Sequence, residues 1–252
     1  MLARMLHAGL LALIAISVLV TSFISGVFGM AGGMILMGVL VAMMPVSAAM
    51  VLHGTAQLTS NGWRAVLWRG HIHFDIVGRF LLGLLLAGVV FYFIGFIPDR
   101  ALVLIALGLT PFLALAIPRR HVPQVTDRGG AQLCGVLNTS MQFVAGVSGP
   151  LLDVFFIRTE MDRRAVVATK AACQACAHLA KLVYFGQALS GEHPVPAGVM
   201  ALTVVAAMAG TSLSKFVLER LSDQQFRRWT QTLVMVIGAV YLGQGTYLLI
   251  TQ

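Results

Sequence analysis

Charge is scarce in this chain. Only 10% of its 252 residues are charged, 17 basic and 9 acidic, where soluble domains carry about 25%. With 58% hydrophobic residues and a mean hydropathy of +0.89, that deficit argues against a soluble protein and for an integral membrane protein. Apolar runs recur along the whole length and leave no room for a soluble domain, so residues 1–252 read as a single membrane domain. The apolar–polar alternation of barrel strands is missing as well. Because an unpaired backbone in lipid is too costly for anything but helices or closed barrels, the expected fold class is an all-α integral membrane protein.

Cysteine is almost as rare, with three residues. Cys173 and Cys176 form a C-x-x-C inside an apolar helix, without a second pair or a redox-type fold beside it. Small residues at a helix contact account for them, so no disulfide, metal site or cofactor is expected. The N-terminal apolar run lacks a convincing small-x-small cleavage pattern and is expected to remain as a helix. The formal charge of +8 does not imply a nucleic-acid partner. Its basic residues fall in short clusters between apolar runs, at 69–79, 119–128, 158–164 and 215–228, as in cytoplasmic loops. The expected surroundings are a lipid bilayer.

What the chain does hold is a polar stripe where none is cheap. Residues 163–187 have the length and apolarity of a spanning helix, yet carry Lys170, Gln174, His178 and Lys181. Steps of four, four and three put all four on one helix face. His53, Gln57, Asn61 and Arg64 follow the same steps within 45–69, offset by 117 residues. The same offset lays Gly29 on Gly146, Gly32 on Gly149 and Ala48 on Ala165. Apolar segments near 8–28, 30–45, 46–68, 76–97, 100–117, 131–145, 148–158, 163–187, 195–214 and 229–250 therefore group into two repeats of five, 6–118 and 124–250.

Loop charge orients the repeats. The basic loops 69–79, 119–128 and 215–228 read as cytoplasmic, whereas 188–195, in the stretch equivalent to 69–79, has neither Lys nor Arg. The repeats are thus expected to be inverted in topology, as in many secondary transporters. Segments 30–45, 131–145 and 148–158 fall short of the roughly 20 residues that span a bilayer. Glycine breaks at Gly26, Gly29, Gly32 and Gly33, and at Gly146, Gly149 and Pro150, separate the first two segments of each repeat. Each pair is either a re-entrant hairpin or two short crossings, giving three or five crossings per repeat.

The stripe indicates its ligand. It offers three cations, two histidines and amide donors but no carboxylate, a set that suits an anion with several acceptor oxygens. Gln57 and Gln174 lie near their helix centres, with His53 and Lys170, and Arg64 and Lys181, nearer opposite entrances. Half-helices starting after Gly33 and Gly149 would aim free N–H groups at an anion, and Gly32, Gly33 and Gly149 would let backbone and ligand approach closely. Asp153, the one acid within the second repeat's first two segments, could carry a proton or pair with Lys170 or Lys181, and His53 and His178 could change charge near neutral pH.

The stretches ISGVFGMAGGMILMGVL and PVSAAMVLHGTAQLTSNGWRAVLW, with AGVSGPLLDVFFI and MDRRAVVATKAACQACAHLAKLVYFGQ, resemble the paired signatures of the sulfite exporter TauE/SafE family over nearly the whole chain. Gly29, Gly32 and Gly33 match the first glycine cluster, although Ala31 stands where glycine is usual and no proline follows. Gly146, Gly149 and Pro150 match the second. The resemblance implies an inner-membrane carrier for sulfite, sulfoacetate or related organosulfonates. The function expected is therefore a secondary transporter, an exporter rather than an enzyme, that moves a small anion between helices 46–68 and 163–187. An anion channel would use the same stripe. An intramembrane enzyme or assembly factor fits less well, because no nucleophile–base pair is evident. So few full crossings leave surface for a second copy, and a homodimer is compatible with the sequence.

Overall fold

Ten α-helices account for most of the chain in the computed structural model, which describes residues 2–28, 30–118, 122–189, 195–218 and 223–251. They are α1 (Leu2–Phe28), α2 (Ala31–Met43), α3 (Val46–Leu67), α4 (Phe74–Ile94) and α5 (Arg100–Ala116), then α6 (Gly130–Ala145), α7 (Gly149–Phe156), α8 (Arg163–Leu189), α9 (Ala197–Leu218) and α10 (Asp223–Thr251). No strand occurs among the described residues. Four helices hold a stretch long and apolar enough to cross a membrane, Gly9–Phe28, Phe74–Ile94, Ala197–Ser214 and Trp229–Thr251. The stripe-bearing α3 and α8 are long enough but fall outside that group.

The helices pair in a regular pattern. α1 packs along α9 and α4 along α6; α3 packs on α8, and α5 on α10. Exchanging α1 with α6, α2 with α7, α3 with α8, α4 with α9 and α5 with α10 leaves those pairings unchanged. The two pairs of equivalent helices run antiparallel. In α3 and α8, Gly54 faces Leu182 at one end, and Trp68 meets the Arg164 guanidinium, 5.9 Å from its ring, at the other. In α5 and α10, Gly108 faces Gly238 and Leu242, while Gly245 faces Ile105 and Ala101.

Lipid is as apolar as leucine, so close van der Waals contact through small residues holds such helices together. Gly83 of α4 and Gly135 of α6 provide it. A Cβ on Gly83 would stand 1.9 Å from the Gln132 carbonyl oxygen, and one on Gly135 2.1 Å from that of Phe80. Around these seams lie two apolar clusters, one centred on Met34, Met37, Leu40, Met50 and Leu107, the other on Phe80, Phe155, Phe156 and Cys173. The three cysteines are free thiols, Cys134 and Cys173 buried.

The short helices α6 and α7 form a hairpin. The Val125 N–H donates to Phe155 O (3.0 Å) and the Arg158 N–H to Gln124 Oε1 (3.0 Å), so the pair starts and finishes at one end of the molecule. Gly146 closes α6 in the left-handed region (φ 75°), where a side chain would be strained. α1 and α2 meet this hairpin turn to turn: a Cβ on Gly149 would be 2.6 Å from Met30 Cβ. α2 then runs back to Met44, whose carbonyl accepts from Arg100 Nη2 (3.5 Å). The two first helices differ in length, 27 residues against 16. Gly29 lies outside the described residues, as do parts of the loops 119–128, 188–195 and 215–228.

Basic residues gather at one end. The Arg79 guanidinium donates to Asp127 O (3.4 Å), the His73 N–H donates to Thr169 Oγ1 (3.1 Å), and Trp68 meets Arg164. Segments 69–79, 122–128 and 157–164 therefore share a face. The other end joins Tyr184 to Phe96, whose carbonyl accepts the Tyr184 hydroxyl at 2.7 Å.

Candidate functional site

Because α3 and α8 cross antiparallel, residues near the start of one stripe meet those near the end of the other. His53 faces Lys181, and Arg64 lies at the level of Lys170. Between them Gln57, Asn61, Gln174 and His178 are all buried.

The tightest wiring runs from turn to turn. His53 Nε2 lies 3.0 Å from Gly33 O, and its Nδ1 lies 2.7 Å from Lys181 Nζ. A carbonyl only accepts, so Nε2 carries the proton and Nδ1 receives a hydrogen from lysine. Lys181 Nζ also donates to Gly146 O at 2.8 Å. This chain, Gly33–His53–Lys181–Gly146, ties the start of α2 to the end of α6 through two fully buried side chains. The sequence expectation that Lys181 lies toward an entrance is corrected here. The lysine is 0% exposed because its ammonium satisfies the carbonyl left over at the end of α6.

Arg64 does the equivalent for α1, its Nη2 reaching Ser25 O at 3.4 Å, and it is only partly buried. Lys170 pairs with Asp153 across α7 and α8. The stripe thus gains a carboxylate partner that its own helix lacks, while Arg64 and Lys181 meet no carboxylate among the described residues. Of the two lysines the sequence offered to Asp153, the structure selects Lys170.

A third helix enters the site, which the sequence reading missed. Gln142 of α6, fully buried, donates from Nε2 to Gln174 Oε1 (3.0 Å) and lies 3.2 Å from His178 Nε2. That assigns His178 the Nδ1–H tautomer, and among the described residues this N–H has no partner. Gln57 Nε2 has none either, while Asn61 Nδ2 donates to Gln57 O at 2.9 Å. Asn138 and Thr139 on the same face of α6 are buried and unpartnered, as are Ser22 and Ser25 on α1. A signal for these was present: Asn138, Thr139 and Gln142 stand 117 residues after Thr21, Ser22 and Ser25. Unpartnered buried polar atoms are rare in proteins and mark water, ion or ligand positions.

The glycines divide in role. Gly33 faces the Gln57 amide, 3.4 Å from where its Cβ would be, and lends its carbonyl to His53. Gly32 abuts α1 instead, and its Cβ would stand 1.9 Å from Thr21 O. Gly149 packs on Met30. The half-helix expected to start after Gly33 begins earlier, at Ala31, because Met30 already has helical backbone angles (φ −77°, ψ −18°).

Chemically, the site combines one buried ammonium, a guanidinium at its edge and several neutral donors. Groups of this kind can donate hydrogen bonds to the oxygens of an anion. No curated protein and no solved structure matches the chain. The family model described as sulfite exporter TauE/SafE matches residues 13–241, nearly the whole length. The chain therefore belongs to the sulfite exporter TauE/SafE family, whose members are exporter-type anion transporters of the membrane.

Proposed function

We propose that this protein is a secondary transporter that exports a small sulfur-containing oxyanion, such as sulfite, sulfoacetate or another organosulfonate, across a bacterial inner membrane by alternating access. The observation that carries this reading is the buried, donor-rich cluster between α3, α8 and α6, in which Gln57 Nε2 and His178 Nδ1 have no partner among the described residues. Free N–H donors in a low-dielectric site favour an acceptor-rich anion, with Lys181 and Arg64 supplying charge.

The halves 6–118 and 124–250 are read as inverted-topology repeats. A two-fold axis that relates antiparallel helices must lie across them, hence in the membrane plane. The antiparallel pairings of α3 with α8 and of α5 with α10 support that axis. Alternating access would rock one repeat against the other about the site where their breaks meet. Burial of His53, Lys181, Gln142 and His178 favours a carrier over an open channel. Asp153, His53 and His178 are the groups available for proton coupling.

Sulfite efflux from proteoliposomes tests the reading. Flux should saturate with sulfite, carry no channel-like current, and fall at least about tenfold in Gln57→Ala and Gln174→Ala, since the first removes a buried donor to the anion and the second leaves the buried Gln142 amide without its partner. Full flux in both variants would remove the site, and tighter binding of acetate-like carboxylates than of any sulfonate would overturn the substrate class.

A further inference from the structure

Resting on the anion-transport reading above, we infer that the oxyanion is held in the first repeat's half of the site, on Ser25, Gln57, Arg64 and the first turn of α2, while in the second repeat's half the counterparts of Ser25 and Gln57 are bonded to each other. The repeat offset makes the comparison residue by residue. Ser25, Gln57, Asn61 and Gly33 of the first half correspond to Gln142, Gln174, His178 and Pro150 of the second.

In the second half the counterparts of Ser25 and Gln57 bond to each other, while His178 Nδ1, Asn138 and Thr139 stay unpartnered among the described residues. Gln142 spans from α6 to α8 and gives its amide hydrogens to Gln174 Oε1 and His178 Nε2. Pro150 has no N–H to offer and fills the first turn of α7 with its ring. Lys181 is already committed to His53 and Gly146.

In the first half the same positions are left as donors. Serine is too short to do what Gln142 does, and Ser25 Oγ has no partner, nor has Gln57 Nε2; both residues are more than nine-tenths buried. Both groups lie along the start of α2. A Cβ on Gly32 would be 2.6 Å from Ser25 Oγ, and one on Gly33 would be 3.4 Å from Gln57 Nε2. The residue before α2, Met30, provides no side-chain cap, so the first turn presents its positive dipole end without a capping side chain. Arg64 reaches the same place from α3, 3.4 Å from Ser25 O. A hydroxyl and an amide along the start of α2, its N-terminus and a guanidinium on the neighbouring Ser25 carbonyl are donors of the kind that suit the three oxygens and negative charge of a sulfite or sulfonate head.

The experiment is sulfite titration of the purified full-length protein by calorimetry, with thermal unfolding as the folding control. Ser25→Gln, which copies the second repeat's arrangement, should weaken sulfite binding by more than about tenfold while leaving the protein folded, because its amide takes the place and the donors of the anion. Ser25→Ala should weaken binding more than Gln142→Ala does. A folded Ser25→Gln protein that binds sulfite like the unmodified chain overturns the placement. Should Ser25→Gln not fold, a Gln142→Ala loss larger than that of Ser25→Ala overturns it equally. Failure of the unmodified protein to bind sulfite or any sulfonate would instead overturn the transport reading, and this placement with it.

Discussion

Arg64 and Lys181 stand 117 residues apart, and each turns its charge toward the end of another helix, α1 and α6 respectively. Lysine, a compact ammonium, is buried whole and shares its hydrogens between Gly146 O and His53 Nδ1. Arginine, a larger fork, stays part-buried on Ser25 O. Replacing Lys181 by Met would leave that carbonyl and imidazole nitrogen buried without partners, at about 1–3 kcal/mol for each orphaned group. Lys181→Met should therefore lower the unfolding temperature in detergent by several degrees. Adding His53→Leu should cost far less than its single effect, with a coupling of roughly 0.5–3 kcal/mol. Strict additivity in that cycle would show that the turn-to-turn link carries no energy.

At the scale of elements, helix seams depend on glycines that admit no Cβ. At Gly83 the atom that blocks a methyl group is the backbone oxygen of Gln132, which cannot rotate away. Gly83→Ala must then separate α4 from α6, and an overpacking penalty of about 1–3 kcal/mol is expected. Gly88→Ala, on the same helix with nothing within 4 Å, should be neutral in the same thermal scan. The α7–α8 contact is electrostatic as well as apolar, through Asp153 and Lys170. Lys170→Asp should lose sulfite flux, and the charge swap Lys170→Asp with Asp153→Lys should recover part of it. A swap no better than the single change would mean that Lys170 acts on the substrate and not through Asp153.

Over the whole molecule, sidedness follows from where the arginines collect. Arg69, Arg79, Arg128, Arg158 and Arg164 belong to the end shared by segments 69–79, 122–128 and 157–164, and Ile97 lies at the end marked by Phe96 and Tyr184. By the positive-inside rule the arginine end faces the cytoplasm. Arg128→Cys should react with an impermeant maleimide only from the cytoplasmic side, and Ile97→Cys only from the other. The buried native thiols Cys134 and Cys173 should stay silent in this assay. Labelling of both introduced cysteines from one side would contradict this topology.

The sequence alone determined the class of fold, the ten segments to within a few residues and the two registered stripes, because each rests on local signals: apolar length, helical periodicity and a fixed 117-residue offset. Of the glycine breaks it suggested, Gly146 stands at the end of α6 in the left-handed region, whereas Gly26 lies within α1, Gly32 and Gly33 lie within α2, and Gly29 lies outside the described residues. Which polar groups meet was a different matter. The pairing of His53 with Lys181, of Lys170 with Asp153, and of Gln142 with Gln174 and His178 joins residues 17 to 128 positions apart. Only the antiparallel crossing of α3 and α8, and the hairpin of α6 and α7, brings them together. A stripe's chemistry can be read from its own helix. The tertiary structure alone decides which of its charges are neutralised and which donors remain free, because the neutralising groups arrive from other helices.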